Sequence, residues 1–241
     1  MKARQVFEFN EPVAGRRLQL QRLGPEHAHY LHDSFADEDF WAAYRSNQNR
    51  RMTLAELSKR LELESQSNPL ALGKIEWVIR AVSSMESDDH PLGFAGLSAI
   101  NADEQVAEFM LGIPRPAHRL PGTGLEASLL LFDYAFNRLR LRKLLSYVYA
   151  ENETAQGNTL ALGFSQTAFQ RAYFGQEGES AYKDVFRNEM LDPDFRANRR
   201  LSKLSLRLLG RDVTSIEAIA KDNNRTSTGG GELQASFQIG E

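Results

Sequence analysis

The sequence has 241 residues, 41% hydrophobic and 25% charged, so it is long enough to bury one substantial core. Its formal net charge of −3 gives no general attraction to nucleic acid or to an anionic membrane. The chain has no cysteine, which excludes disulfides, thiolate metal ligands and a cysteine nucleophile. We find no segment with the pattern of a signal peptide or a membrane span, and we expect a cytoplasmic protein.

The N-terminal half alternates between strand patterns and helix patterns. Thr53 stands three residues before Glu56, which is the spacing of a capping box at a helix start. The polar run 65–73 predicts a loop. The predicted elements, in chain order, are a strand over 17–23, helices over 27–35 and 53–63, and strands over 75–80 and 92–100.

Three histidines near the first predicted helix raise the question of a metal. Only His29 and His32 would share a helical face, and His27 would not. No acidic residue completes an obvious ligand set, so we expect a solvated helix and no metal.

A glycine-containing turn, residues 119–124, opens directly into a helix. It follows a strand predicted over 104–113, and apolar residues then recur at three- and four-residue spacing from Ala127 to Leu139. Gly122 and Gly124 permit positive φ and close approach of a ligand. A strand, a turn and a helix start gather free N–H groups at the positive end of the helix dipole, which is typical of a phosphate site. The same pattern also occurs in plain tight turns.

The segment beyond this helix makes the pattern more specific, because a strand over 144–150 is followed by Asn152 and by a short helix that ends at Gly163. The chain from about Arg17 to Met190 therefore resembles the GNAT acyltransferase superfamily, and within it the branch of the ribosomal-protein alanine N-acetyltransferases. The resemblance implies an α+β fold with a mixed, mostly antiparallel twisted sheet flanked by helices. It rests on Arg119-x-x-Gly122-x-Gly124, Glu126-Ala127, Asn152 and Leu162-Gly163-Phe164.

The resemblance also implies that acetyl-CoA is the co-substrate and that no metal is required. Prolines lengthen the connection before the turn, and Pro121 has no N–H to offer a phosphate. The cofactor-binding residues implied are Met110, Leu111, Gly112, Ile113, Arg119, Leu120, Gly122, Thr123, Gly124 and Asn152.

A carboxylate on the central strand would accept the proton of the amine, and Glu108 is our candidate base. The alternative is that Glu108 is an ordinary strand residue at the surface. Ala155 and Thr159 stand where many family members carry a serine or a tyrosine that acts as the general acid. Tyr147 or Tyr149 on the adjacent strand could take that role, and we select Tyr149 for the site. The thiolate could also leave without a dedicated acid.

The aromatic group of Phe40, Trp41 and Tyr44 has two interpretations. In GNAT proteins the corresponding helices form one wall of the acceptor site, so these side chains are a candidate acceptor surface. Ordinary core packing is the commoner role for such residues, and it is the interpretation that we favour.

The last two strands are predicted over 166–174 and 180–190, which completes an acyltransferase domain spanning 1–191. Residues 192–241 form a C-terminal extension beyond the resemblance, and we expect its removal to leave the core folded. Its predicted parts are a basic helix over 194–209, a short capped helix from 214–217, a linker over 223–231 and an edge strand over 233–239.

The sequence therefore predicts an acetyl-CoA-dependent N-acetyltransferase that works by direct transfer. Its acceptor would be the primary amine of a small molecule, such as an amino sugar nucleotide, or a protein N-terminus. The alternative is a non-catalytic acyl-CoA-binding or scaffolding protein, which the missing serine and tyrosine favour. We expect no nucleic-acid or membrane partner, and a homodimer is left open.

Overall fold

The computed structural model describes residues 9–44, 52–82, 91–175 and 182–215. The strands in these ranges are β1 (Val13–Ala14), β2 (Leu18–Arg22), β3 (Ile75–Ala81), β4 (Gly93–Asn101), β5 (Val106–Gly112), β6 (Lys143–Tyr149), β7 (Ser165–Phe174) and β8 (Lys183–Leu191). They form one sheet in the order β1-β2-β3-β4-β5-β6-β8-β7. Every neighbouring pair is antiparallel except β5 with β6, which is parallel. The predicted mixed, mostly antiparallel sheet is confirmed.

Helices cover both faces of this sheet. They are α1 (Ala28–Ser34), α2 (Glu38–Tyr44), α3 (Leu54–Gln66), α4 (Pro69–Leu72), α5 (Thr123–Phe132), α6 (Glu153–Ala161), α7 (Asp192–Ala197) and α8 (Arg199–Leu209). α5 continues into a π-helical stretch at Asp133–Arg138. None of the described helices has the length and apolar character that crossing a membrane would require.

Local capping explains where two helices of the first half begin. The Thr53 hydroxyl accepts from the Glu56 N–H at 3.3 Å, and the Glu56 carboxylate accepts from the Thr53 N–H at 2.8 Å. The predicted capping box of α3 is therefore confirmed. The predicted loop over 65–73 is wrong, because α3 runs to Gln66 and the Asn68 side chain caps α4 by accepting from the Leu70 N–H.

The sheet separates two hydrophobic clusters. Along β3, Trp77 lies in the cluster covered by α5, α7 and α8, whereas Val78 lies in the cluster covered by α1, α2 and α3. Successive residues of a strand point to opposite faces of the sheet. Both side chains are fully buried, so helices cover the sheet on each face. The central strands are therefore enclosed on both sides, and a site among them must open where their pairing ends.

The predicted tail helix over 194–209 is two helices. The chain turns at Asn198, whose ψ of 90° is extended and whose side chain accepts from the N–H groups of Arg200 and Leu201. The Asn198 backbone N–H closes α7 by donating to the Phe195 carbonyl at 3.2 Å, and the Asn198 side chain caps α8. The predicted linker at 223–231 and strand at 233–239 lie outside the described residues, as does most of the helix predicted from 214 onwards.

The first part of the C-terminal extension packs into the core. Phe195 is fully buried and stacks on Phe136 with ring centroids 4.7 Å apart. The Asn137 amide donates to the Val213 carbonyl at 2.8 Å, and Val213 is itself fully buried. Residues 192–215 therefore cover the far end of α5, and we expect them to stabilise the core; the domain boundary at Leu191 stays a prediction.

Candidate active site

The two central strands part near the middle of the sheet. The parallel pairing of β5 with β6 ends at Glu108 and Leu145. Beyond that point residues 109–112 pair with β4, and residues 146–149 pair with β8. Backbone polar groups alternate between the two edges of a strand, so every second N–H and C=O of these halves faces the gap. The parting strands therefore offer unpaired backbone donors and acceptors to a ligand.

A cavity of about 110 Å³ lies in this gap, and we call it the parted-strand cavity. It brings together five of the catalytic and cofactor-binding residues that the sequence predicts, namely Glu108, Met110, Leu111, Tyr149 and Asn152. Its wall also includes Tyr44 of α2, Ser146 and Tyr147 of β6, and Ala155 and Thr159 of α6.

Glu108 places a carboxyl group at the point where the strands part. Its side chain is 7% exposed, and its Oε2 accepts from the Ser98 hydroxyl at 3.2 Å. Burial, with the carboxylates of Glu76 and Glu108 nearby, raises the pKa of Tyr44 well above its ordinary value. The cavity thus combines a buried carboxyl group with a phenol that stays protonated at neutral pH.

Two further phenols come from β6. Tyr149 is 7% exposed and has the Lys183 ammonium 5.1 Å from its ring centroid. Tyr147 stacks on Tyr173 with centroids 5.4 Å apart, and burial and its hydrogen bond with Tyr173 raise the pKa of Tyr147. By contrast, the Thr159 hydroxyl donates to the Ala155 carbonyl at 2.8 Å inside α6. The only hydroxyl at the two family acid positions is therefore already committed to the helix.

Asn152 connects β6 to α6. Its side chain caps α6 by accepting from the Ala155 N–H at 3.0 Å, and it lines the cavity as well. Buried amides then fix this helix against the sheet, since Gln156 exchanges two hydrogen bonds with Asn188 and donates to Gln166. Sequence reasoning missed this network because its members lie far apart in the chain.

The glycine turn supplies fewer free donors than the sequence suggested. Gly122 has a φ of +87° and is the N-cap of α5, which begins at Thr123. The Thr123 N–H donates to the Leu120 carbonyl at 3.0 Å, and the Arg119 N–H donates to the Pro116 carbonyl at 3.0 Å. These two N–H groups are not available to an anion.

The Arg119 side chain also has a partner within the connection. Its Nε donates to the Ile113 carbonyl and its Nη2 to the Pro114 carbonyl, each at 3.0 Å. The guanidinium thus shapes the long connection between β5 and α5. Arg119 was expected to bind the cofactor, and its contacts show a role in holding the loop.

Gly112 lies under the aromatic side chains of α2. A Cβ built at Gly112 would fall 2.6 Å from Tyr44 and 2.8 Å from Phe40, so only glycine fits there. Trp41 is 2% exposed and donates from its indole N–H to the Ser34 carbonyl. The aromatic group therefore packs in the core as expected, while Tyr44 reaches the parted-strand cavity.

A larger cavity of about 600 Å³ lies beside α1, the start of α2 and the segment after β5. Its charged lining comprises the carboxylates of Glu26, Asp33 and Asp37 and the guanidinium groups of Arg80 and Arg115. His27 lines it too, and its Nδ1 accepts from the Gly24 N–H at 3.1 Å. Burial lowers the pKa of His27, which favours the neutral ring. Within the described ranges no three His, Cys, Asp or Glu side chains are grouped as metal ligands would be.

Comparison with known proteins identifies the family. Residues 17–165 match the family model for the acetyltransferase (GNAT) domain. The chain belongs to the GNAT acetyltransferase family. A search of curated proteins gave no significant match. The finer resemblance to ribosomal-protein alanine N-acetyltransferases is not resolved by these comparisons and stays a prediction.

Solved structures share the fold of this GNAT protein. One is the spermidine N-acetyltransferase from Vibrio cholerae in complex with CoA and spermine. It is 22% identical, with a TM-score of 0.61 over 73% of this chain and 95% of that chain. Another is a probable GNAT-family acetyltransferase from Chromobacterium violaceum. It is 20% identical, with a TM-score of 0.62 over 78% of this chain and 89% of that chain.

GNAT acetyltransferases use acetyl-CoA, and the residues of this GNAT protein fit that group. Gly122 leaves the start of α5 uncovered, and a Cβ there would approach Arg17 Nη2 at 3.0 Å. The N–H groups of Leu120, Gly122 and Gly124 have no backbone partner outside the helix in the described ranges. Together with the positive end of the α5 dipole, they can bind a diphosphate.

Proposed function

We propose that the protein transfers an acetyl group from acetyl-CoA directly to a primary amine, with Glu108 as the general base. The observation that carries this proposal is the position of Glu108, a buried carboxyl group in the cavity where β5 and β6 part. Membership of the GNAT family supports acetyl transfer, and the cavity supplies a place for it.

Acetyl-CoA would supply the acyl group as a thioester, which a neutral amine attacks without a covalent enzyme intermediate. Glu108 accepts the ammonium proton, directly or through one water molecule. The Ser98 hydroxyl holds one oxygen of that carboxylate in place. N–H groups of residues 110–113 that face the gap bind the pantetheine arm and polarise the thioester carbonyl.

We assign the general acid to Tyr149, which is buried and lines the same cavity as Glu108. Its phenol would protonate the departing thiolate. Tyr147 is the second choice, because its ring is stacked on Tyr173. Thr159 is a weaker choice, because its hydroxyl donates to the Ala155 carbonyl within α6.

The glycine turn binds the diphosphate of acetyl-CoA through the N–H groups of Leu120, Gly122 and Gly124. Arg119 contributes by holding the carbonyls of Ile113 and Pro114, and so by fixing the turn. Thr123 contributes as the first residue of α5 and does not use its N–H. Asn152 holds the start of α6 beside the pantetheine path.

The acceptor is a small-molecule amine or a protein N-terminus. Three carboxylates in the larger cavity suit an ammonium group, and two guanidinium groups suit an anionic part of the same molecule. The Vibrio cholerae protein of similar fold is a spermidine N-acetyltransferase, so spermidine is the first amine to test. An alanine-initiated peptide and an amino sugar nucleotide represent the other two classes.

The test is release of free CoA thiol from acetyl-CoA by the full chain, with each of these three amines in turn. We expect at least one amine to raise thiol release well above the rate without an amine, and mass spectrometry to find the acetylated product. A reaction with acetyl-CoA alone is the control for thioester hydrolysis. CoA binding without amine-dependent thiol release for any class would contradict the proposal and favour a non-catalytic CoA-binding protein.

A further inference from the structure

A buried carboxylate lies one turn inside the start of α5. Glu126 is fully buried, and its Oε1 accepts from the backbone N–H groups of Arg17 at 2.9 Å and Leu18 at 3.2 Å. Its Oε2 accepts from Arg17 Nε at 2.8 Å. These bonds tie the start of β2 to the first turn of α5, immediately below the glycine turn.

The guanidinium of Arg17 extends from this carboxylate to the tip of the turn. Its Nη2 lies 3.0 Å from the position that a Cβ would occupy at Gly122, the N-cap of α5. The Arg17 side chain is 54% exposed, and its two terminal nitrogens make no hydrogen bond to any described residue. One edge of the guanidinium is thus fixed by Glu126, and the other edge is open beside the turn.

The charge of Glu126 gives this geometry a consequence for anion binding. A carboxylate in the first turn opposes the binding of a second anion at the same helix N-terminus, because like charges repel more strongly where water is excluded. Arg17 neutralises that carboxylate and adds donors next to Gly122. A guanidinium presents several N–H groups in a planar fork that matches phosphate oxygens, which a lysine ammonium does not.

We propose that Arg17 is a diphosphate-binding residue for acetyl-CoA and that Glu126 positions it. This inference rests on the proposed function, because it places the cofactor diphosphate at the glycine turn. Arg119, the arginine of the sequence motif, donates to loop carbonyls, whereas Arg17, immediately before the distant strand β2, has its terminal nitrogens beside the turn.

The experiment replaces Arg17 by Gln and compares two thioesters in the full chain. Arg17→Gln leaves Glu126 with its two backbone donors, so the fold is expected to persist. Loss of one charge-assisted contact at an exposed site corresponds to about a tenfold rise in KM for acetyl-CoA, with kcat little changed. S-acetyl-N-acetylcysteamine has the thioester but no diphosphate, and its kcat/KM is expected to stay within about twofold of wild type on the same argument.

The neighbouring arginine provides a matched control. Arg16 faces the end of α8, where its Nη1 donates to the Arg207 carbonyl, and Arg16→Gln should leave both thioesters unaffected. Arg17→Lys retains the charge but not the fork, and should recover only part of the affinity for acetyl-CoA. CoA binding by calorimetry measures the same effect without turnover. An inactive wild type whose CoA affinity still falls in Arg17→Gln would therefore refute the proposed function and support this inference.

Two results would overturn the role of Arg17. One is an unchanged dissociation constant for CoA in the folded Arg17→Gln variant. The other is an equal loss of kcat/KM for both thioesters, because that would show general damage to the site and no contact with the diphosphate.

Discussion

The parted-strand cavity and the glycine turn are both built around backbone groups, but they obtain their side chains differently. In the cavity, β5, β6, α2 and α6 each contribute polar side chains that face the gap, among them Glu108, Tyr149 and Tyr44. In the glycine turn, the Arg119 guanidinium and the N–H groups of Arg119 and Thr123 are used within the loop itself. The cavity thus provides side chains that can transfer protons, whereas the turn provides chiefly backbone N–H donors.

This difference shows that residues within one motif can have unlike roles. Gly122 and Gly124 leave α5 open, whereas Arg119 in the same motif fixes the loop. The turn also depends on distant parts of the chain, because Arg17 lies beside one end of α5 and Phe195 packs at the other. Variants that change the cavity, the turn or the packing at the far end of α5 should therefore have different effects on catalysis, on CoA binding and on stability.

The largest effect is expected on protein stability, from removing the Phe195 ring that packs at the far end of α5. Phe195→Ala removes a fully buried ring stacked on Phe136, and should lower the free energy of unfolding by ~3–5 kcal/mol. Leu206→Ala on α8, whose side chain is 51% exposed, should change it by less than about 0.5 kcal/mol. Denaturant unfolding of the two variants gives both values. We also expect deletion after Leu191 to abolish cooperative unfolding, and wild-type stability of that deletion would contradict the packing argument.

Within the cavity, the general acid should matter more than the hydroxyl of α6. Tyr149→Phe removes the proposed proton donor and should lower kcat about 10²-fold, the lower end of losses typical for acid catalysis. Thr159→Ala removes a hydroxyl that bonds only to α6 in the described structure, and should change kcat by less than about twofold. Initial-rate measurements on both variants test this ranking. Equal losses, or a larger loss for Thr159→Ala, would reassign the acid.

At the glycine turn, Gly124→Val should weaken CoA binding by a smaller factor than Tyr149→Phe lowers kcat. A Cβ at Gly124 would meet Ile113 and Leu111 at 3.9 and 4.0 Å, so the backbone tolerates a side chain there. The larger Gly124→Val side chain should obstruct the diphosphate and weaken CoA binding about tenfold or more, since at least one charge-assisted hydrogen bond is lost. Gly157→Val in α6, where a Cβ would have no contact within 4 Å, is the matched control. Unchanged calorimetric affinity in Gly124→Val would move the diphosphate away from this turn.

Much of the fold was predictable because its signals are local. The capping box at Thr53 and Glu56, the alternation of β3 and Gly122 at the start of α5 each act over a few residues. The predicted loop at 65–73 was wrong because Asn68 and Pro69 begin a short helix, a signal that the polar composition obscured. The single tail helix was wrong because capping by Asn198 ends one helix and begins the next.

The site was less predictable because its contacts are long-range. The sequence indicated Glu108, Tyr149 and Asn152, and the structure brings them into one cavity. The sequence did not indicate that Arg119 would donate to nearby carbonyls. Nor did it indicate that the buried Glu126 carboxylate would hold Arg17 beside Gly122. Such contacts depend on how β2 and α5 pack together, which no local pattern encodes.

The most direct test of the account is the rate of acetyl transfer by Glu108→Gln across a range of pH. The amide preserves the size of the side chain but cannot accept the proton, so kcat should fall ~10²–10⁴-fold at neutral pH. Affinity for acetyl-CoA should hardly change, because Glu108 lines the parted-strand cavity, to which no residue of the glycine turn contributes. Raising the pH should partly restore the rate, since more of the amine is then already deprotonated. Turnover within about twofold of wild type at neutral pH, far short of the loss expected for a general base, would show that Glu108 is only a strand residue.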